Sequence, residues 1–308
     1  MEIFRNSTKD LVNARKGVFA LGNFDGVHLG HKEIIAKAIS IGEKNNIPSG
    51  VLIFEPHPRK FFRPKDKNFI ISDIKTRSYL LENCGLDFLG ILDFDKKMSN
   101  LTPFEFVDNV IKNAIDVSHL IVGYNFKFGK DRSGDVHVLT DICKKLEIDL
   151  SIIDKIEGDS YVFSSSSVRD CLRKADLIGA KKIIGDYWTV KGRVIKGEQR
   201  GRQIGFPTAN ISMDGWIEPL FGVYAVSVSF DGLNYKGVAN LGVRPTFGQS
   251  CPLLEVHLFD YSGDLYGNDI VISFIDFIRK EKKFDGIEAL KKQIQIDSTK
   301  AIELIIEN

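Results

Sequence analysis

His28 and His31 stand three residues apart, behind the run Gly22-Asn23-Phe24-Asp25-Gly26-Val27-His28-Leu29-Gly30. Glycines here let the backbone approach a ligand closely. A helix predicted to follow offers free N–H groups and a positive dipole end to an anion. Histidines at that spacing near a helix start can face one ligand. The set suits a polyphosphate whose charge grows during a reaction. Zinc chelation by H-x-x-H is the weaker alternative, since Asp25 is the only close residue that could add a ligand. Taken singly, each histidine is as readily a satisfied hydrogen-bonding residue.

A second glycine-rich run, Gly192 to Asn210, contains Gly197, Gly201, Arg202 and Gly205. Its spacing is not that of a Walker P-loop. It suits a flap over a polyphosphate, or equally a solvated basic hairpin. Thr208 and Asn210 are two apart, so an extended strand points them to one face. Oxygen ligands of that kind suit Mg²⁺, which keeps several waters and shares substrate phosphates. In Leu254-Glu255-Val256-His257-Leu258 the apolar residues share one face and Glu255 shares the other with His257. That alternation permits a site-facing carboxylate and also fits an ordinary half-exposed one. Arg169 carries a fork of donors suited to phosphate oxygens. Ser165 and Ser166 offer hydroxyls within a serine run that also reads as a helix cap. Phe62, Phe126 and Phe128 fit either the flanks of a planar ring or a packed core.

These residues need a frame to hold them. Over residues 1–184, apolar runs predict buried strands at 17–21, 51–54, 88–92, 120–122 and 150–153. Between them, helical spacing covers 31–44, 74–81, 104–115 and 136–146. Strands apolar on both faces alternating with helices predict a Rossmann-like parallel α/β sheet, which binds ligands at the carboxyl ends of its strands. Over residues 185–308 the period changes to two, at 224–230, 254–258 and 271–275. Asp231-Gly232 is a hairpin signal, and the pattern predicts an antiparallel β-barrel. A helix over 285–306 would pack Ile287, Leu290, Ile294, Ala301, Leu304 and Ile305 against it.

Composition narrows the function. The 308 residues carry 42 Lys and Arg against 41 Asp and Glu, a net charge of +1, which argues against a nucleic-acid binder. No apolar run is long enough to span a membrane. Cys84, Cys143, Cys171 and Cys251 are too scattered for a zinc ribbon and suggest reduced thiols in a cytoplasmic protein.

G-x-F-D-G-x-H-x-G-H at 22–31 resembles the H-x-G-H nucleotidyltransferases, in particular the FAD synthetase module of prokaryotic bifunctional riboflavin kinase/FAD synthetases. Glu55-Pro56-His57-Pro58, Gly123 to Gly129 and Phe163 to Arg169 continue the likeness, with Ser166 in place of the usual threonine and Phe163 in place of an aliphatic residue. Gly201-Arg202-Gln203-Ile204-Gly205-Phe206-Pro207-Thr208-Ala209-Asn210 is similar to the riboflavin kinase signature, followed by matches at 221–225, 237–247, 254–260, 263–267 and 277–279. The resemblance implies phosphorylation of riboflavin to FMN by residues 185–308, then adenylylation of FMN to FAD by residues 1–184. It implies Glu255 as the kinase base, and His28, His31 and Arg169 as catalytic in the adenylylation. Nucleotide binding falls to Gly22, Asn23, Phe24, Asp25, Gly26, Gly30, Asn125, Ser165, Ser166, Gly197, Gly201, Arg202 and Gly205. Flavin binding falls to His57, Pro58, Phe62, Phe126 and Phe128, and Mg²⁺ to Thr208 and Asn210. ATP is the co-substrate and ADP and pyrophosphate are products. No nucleic-acid or membrane partner is implied, and homo-oligomer formation stays open. A riboflavin kinase with a silent amino-terminal half is the alternative.

Overall fold

The computed structural model describes residues 1–6, 13–66, 68–156, 162–197, 201, 204–246 and 249–307, with backbone only at 244–246 and 249–251. Arg202 and Phe247 lie outside the described residues. The chain forms two compact units, Met1–Lys67 with Arg77–Val162, and Asn68–Thr76 with Phe163–Asn308.

In the first unit, apolar runs become the parallel strands β1 (Glu2–Arg5), β2 (Val18–Leu21), β3 (Ser49–Glu55), β4 (Phe88–Asp93), β5 (His119–Gly123) and β6 (Asp149–Ile153). Their spatial order is β1-β4-β3-β2-β5-β6. The order reverses between β2 and β5, and such a switch point opens a crevice at the strands' carboxyl ends. β2 is buried along its whole length, as a central parallel strand requires. The helices are α1 (Leu29–Asn45), α2 (Pro58–Phe62), α3 (Ile74–Glu82), α4 (Lys96–Ser99), α5 (Pro103–Glu105) and α6 (Val136–Lys145). The helix expected over 104–115 is for most of its length a π-helix, Phe106–Ile115. Its buried Phe106, Ile111 and Ile115 recur at spacings of five and four, which suits i→i+5 bonding. β1 was not foreseen. It is a four-residue edge strand in which only Phe4 is buried.

The second unit carries α7 (Ser165–Arg173), α8 (Leu177–Ile184), and the antiparallel strands β7 (Trp188–Arg193), β8 (Ala209–Ser212), β9 (Gly222–Phe230), β10 (Leu233–Thr246), β11 (Gln249–Leu258) and β12 (Asp269–Lys280), ending in α9 (Ile287–Glu307). The sheet order is β7-β12-β9-β10-β11-β8. An antiparallel bridge between Ile195 and Asn210 joins the two sheet edges, closing the barrel. The hairpin at Asp231-Gly232 has positive φ at both residues, as a two-residue primed turn demands.

The division at 184/185 read from the sequence is not where the compact units part. Residues 68–76 and 163–184 pack with the barrel. The indole N–H of Trp188 donates to Ile71 O at 3.1 Å, and Leu220 N–H donates to Leu172 O at 3.2 Å. Such contacts join residues far apart in sequence and leave no local pattern.

On α9, Ala301 is buried, and Leu304 and Ile305 pack with it against Val223, Ala225, Val238 and Ile275. Ile287 does not join them, being 60% exposed. The amino-terminal half of the helix is held instead by a polar contact. Asp297 is buried and accepts from the Nε and Nη2 of Arg279 at 2.9 and 2.7 Å, and from Gln293 at 2.8 Å. This bidentate pair was not foreseen.

Candidate active sites

The loop after β2 folds back sharply. Phe24, Gly26 and Val27 all have positive φ, at 49°, 83° and 38°. Two of the three are bulky residues, so this is strained backbone held by its surroundings. Phe24 is buried, and a Cβ at Gly22 would stand 3.1 Å from its ring. Asp25 is buried as well. A buried arginine on α3 pins the turn from below. The Nη1 of Arg77 donates to Asn23 O at 2.8 Å, and its Nη2 reaches Glu55 at 3.3 Å. Arg77 therefore ties the loop after β2 to the end of β3.

His28 caps α1. Its Nδ1 accepts the backbone N–H of His31 at 3.3 Å. With Nδ1 as acceptor, the neutral ring carries its proton on Nε2 and can donate there. The rings of His28 and His31 stack at 3.6 Å, 20° from parallel, and Phe24 lies 5.1 Å from His31. The first turn of α1 has no acidic residue to offset the positive helix end from within the helix. The loop thus presents a helix amino terminus and two imidazoles at the switch point of the sheet. Gly30 lies in the first turn of α1. Asn125 follows β5 on the other side of the switch. A Cβ at Gly123 would meet Asn125 Oδ1 at 3.7 Å and Ile34 at 3.5 Å.

Beyond β3, His57 caps α2 by accepting from Arg59 N–H at 3.0 Å, with Pro58 in its first turn. Rings then run along the carboxyl edge of the sheet. Phe62 meets Phe61 and Phe94 at 5.2 and 5.7 Å, and Phe94 meets Phe54 at 5.5 Å. Phe54 meets Phe106 at 6.0 Å, Phe106 meets Phe128 at 5.9 Å, and Phe126 stacks on Phe128 at 5.4 Å. Phe62 is 61% exposed at one end of this row, and toward the other end Phe128 is buried in the core with half-buried Phe126 stacked on it. Phe128 therefore serves packing and Phe62 offers a face. Phe94 was not singled out in the sequence, where its neighbours Asp93 and Asp95 mark it only as a strand end.

Ser164 Oγ accepts Ser167 N–H at 3.1 Å, so the serine run is a helix cap. Ser165, Ser166 and Arg169 lie on α7, in the second unit. Arg169 Nε donates to Phe69 O at 2.6 Å, and its guanidinium stands 5.9 Å from the Phe69 ring.

In the barrel, Glu255 on β11 is in register with Asn210 on β8 and with Asn240 on β10. Residues directly opposite on antiparallel strands share a face, with Cβ atoms about 5 Å apart. Leu254, Val256 and Leu258 are buried on the other face, as the alternation predicts. Asn210 is itself buried. Its Nδ2 donates to Thr208 O at 3.3 Å, and its Oδ1 has no hydrogen-bond partner among the described residues. An orphaned buried carbonyl oxygen is costly unless a ligand completes it. A hard cation is such a ligand, so the residues present fit Mg²⁺. Gly197 covers this amide, where a Cβ would stand 2.5 Å from Asn210 Nδ2. Gly201 O accepts from Phe206 N–H at 2.8 Å, and Gly205 has φ +89°. The segment entering β8 is held by His257, whose Nδ1 lies 2.8 Å from Pro207 O.

The description FAD synthetase matches residues 11–167, and riboflavin kinase matches 184–305. A curated bifunctional riboflavin kinase/FMN adenylyltransferase of Pseudomonas fluorescens is 38% identical over 281 residues, covering 91% of this chain and 90% of its own. The chain belongs to the bifunctional riboflavin kinase/FMN adenylyltransferase family. Members from Bacillus subtilis and Escherichia coli K12 are 36% and 35% identical, each covering 93% of this chain and 92% of its own. A crystal structure described as a macrolide-efflux protein from Streptococcus pneumoniae is 29% identical with TM-score 0.82, covering 96% of this chain and 97% of its own. Among the described residues no helix is long and apolar enough to cross a membrane. Like its family, the chain joins the two modules in one polypeptide, so the silent-half alternative is set aside.

Arg77, Asn240 and His257 were not assigned to a site from sequence. Asn240 and His257 lay inside quoted motifs, and strand register would have found both.

Proposed function

We propose that the two reactions of this enzyme, riboflavin to FMN and FMN to FAD, are divided between the barrel face at Glu255 and the turn at His28 and His31. The register of Glu255 with Asn210 is the observation that carries the kinase half. It puts the Glu255 carboxylate opposite the buried Asn210 amide, which supports reading the pair as a general base and a cation ligand. Glu255 accepts the proton of riboflavin's 5′-hydroxyl as that oxygen attacks the γ-phosphorus of ATP, and ADP leaves. Proton transfer of this kind contributes about 10²- to 10⁴-fold. Thr208 and Asn210 would hold Mg²⁺, which when bound offsets charge on the phosphates. Gly197 lies over the Asn210 amide.

In the adenylylation, a phosphate oxygen of FMN attacks the α-phosphorus of a second ATP. The α–β bridging oxygen departs with pyrophosphate. The nucleophile is already anionic near neutral pH, so no base is required. The α1 amino terminus, His28 and His31 stabilise the growing charge, and positioning supplies the rest. Asn125, across the switch point, closes the nucleotide side. His57, Pro58 and Phe62 offer the flavin an exposed ring face, and Phe126 extends the same row of rings on the packed base that Phe128 provides. The parts given to Ser165, Ser166, Arg169 and Arg202 rest on the family resemblance. Cytoplasmic location is supported by buried thiols at Cys143 and Cys171.

Chromatography of flavins tests the division. Glu255→Gln should abolish FMN formation from riboflavin while FMN supplied directly still becomes FAD. His31→Ala should give the opposite pattern. Loss of both steps in either variant would overturn the division.

A further inference from the structure

The ladder between β8 and β11 runs from Ser212 opposite Leu253 to Ala209 opposite Val256, and stops there. Thr208 lies just beyond its end. It is preceded by Pro207, which has no N–H and cannot donate a further ladder bond. The next residue of β11 on the Glu255 face is His257. Its Nδ1 lies 2.8 Å from Pro207 O. A carbonyl only accepts, so Nδ1 carries the proton and donates. Phe206 and Phe259 meet the same ring edge-on at 5.5 and 5.8 Å, fixing its plane.

We propose that His257 is a positioning residue of the kinase site: its imidazole replaces the missing strand pairing and fixes the Pro207–Thr208 segment where a divalent cation–nucleotide complex binds. The proposal rests on the reading of Thr208 and Asn210 as cation ligands. His257 touches neither substrate nor cation in this role. It holds the carbonyl one peptide before Thr208, and through it the Asn210 amide, whose Nδ2 is tied to Thr208 O.

The test compares His257→Ala with His257→Asn, whose side-chain N–H can still reach a carbonyl. One lost hydrogen bond corresponds to up to about tenfold in an equilibrium constant. In riboflavin phosphorylation, His257→Ala should raise the KM for MgATP by about that factor with a smaller change in kcat, and His257→Asn should recover most of it. ADP affinity, measured by calorimetry on the same full-length proteins, should weaken for His257→Ala with Mg²⁺ present and match the parent in EDTA. Conversion of supplied FMN to FAD should stay at the parent rate, reporting an intact fold. Unchanged KM and ADP affinity would overturn the proposal, as would an equal loss of ADP binding with and without Mg²⁺. Asn210→Ala separates the two readings. If it loses Mg²⁺-dependent ADP binding and His257→Ala keeps it, the positioning role fails alone. If Asn210→Ala keeps that binding, the cation reading fails and this proposal fails with it.

Discussion

The backbone N–H of Ile195 donates to Asn210 O at 2.9 Å, so the residue that closes the barrel also carries a buried side-chain oxygen with no partner among the described residues. Closure and ligand presentation meet at one position. The main chain of Asn210 is fixed on one side by Ile195 and on the other by β11 opposite Glu255. A carboxamide held this way cannot move far to relieve its missing partner.

Gly197 is therefore a sensitive position in the flap. A methyl group there would stand 2.5 Å from Asn210 Nδ2 and 2.9 Å from Oδ1, well inside contact distance. The short, buried side chain has little room to yield. Gly197→Ala should lower the riboflavin kinase rate by about tenfold or more, since small misplacements of a site can cost up to about 10²-fold. FAD formation from supplied FMN should not change. Steady-state rates for the two half-reactions, measured separately, check this.

Arg77 makes a different demand on the first unit. Its guanidinium is buried, and it holds both the strained turn at Asn23 and the carboxylate of Glu55. Removing one member of a buried pair typically costs about 3–5 kcal/mol, reduced here because Glu55 is about one-quarter exposed. Arg77→Met should lower stability by about 2–3 kcal/mol in urea unfolding. FMN adenylylation should suffer more than riboflavin phosphorylation, because the turn at His28 loses its anchor. Arg77→Met, Glu55→Gln should regain part of the stability without regaining adenylylation. A double variant as active as the parent would show that the turn holds its own shape.

Much of this frame is written locally. The strands of the parallel sheet are continuous apolar runs, so Val18–Leu21, Phe88–Asp93 and His119–Gly123 are legible from their residues. Glu255 and its apolar neighbours follow strand period. What sequence did not disclose is pairing at a distance. Nothing near Asp297 announces that a carboxylate on a helix will be buried against Arg279. Nothing near Asn68 announces that residues 68–76 pack with a barrel more than a hundred residues away. Edge strand β1 is too short and too exposed to show a pattern. His257 was visible as a neighbour of Glu255, but its partner Pro207 is fifty residues off. Local chemistry marks which residues can react, and register decides which stand together.

The thiols give a prediction independent of catalysis. Burial pushes Cys143 up to about 11, and burial with help from Asp176 does the same for Cys171. Reactivity belongs to the thiolate, and an unburied thiol titrates near about 8.5. At pH 8 in the native state both should react with a disulfide reagent about a hundredfold more slowly than in urea. Peptide mapping of the labelled sites checks which cysteines lag. Rapid native labelling of Cys143 would contradict its burial on the packed face of α6.

His119 sets an acid-side limit on stability. Burial lowers its proton affinity below the ordinary value of 6.5, with Asp149 opposing and Lys37 adding to the shift. Its Nε2 lies 2.9 Å from Ser151 Oγ. The sign follows from linkage: below about 6.5 the unfolded chain takes up a proton that the folded chain resists, so folding weakens as pH falls through that window. Above it both states carry a neutral ring and the contribution is flat. His119→Gln keeps a polar partner for Ser151 and removes the titration. Urea unfolding at pH 7.5 and pH 5.5 should show a smaller loss of stability on acidification for the variant than for the parent, because other titrating groups are common to both. Equal losses would mean that the folded protein accepts the proton on His119 as readily as the unfolded chain does.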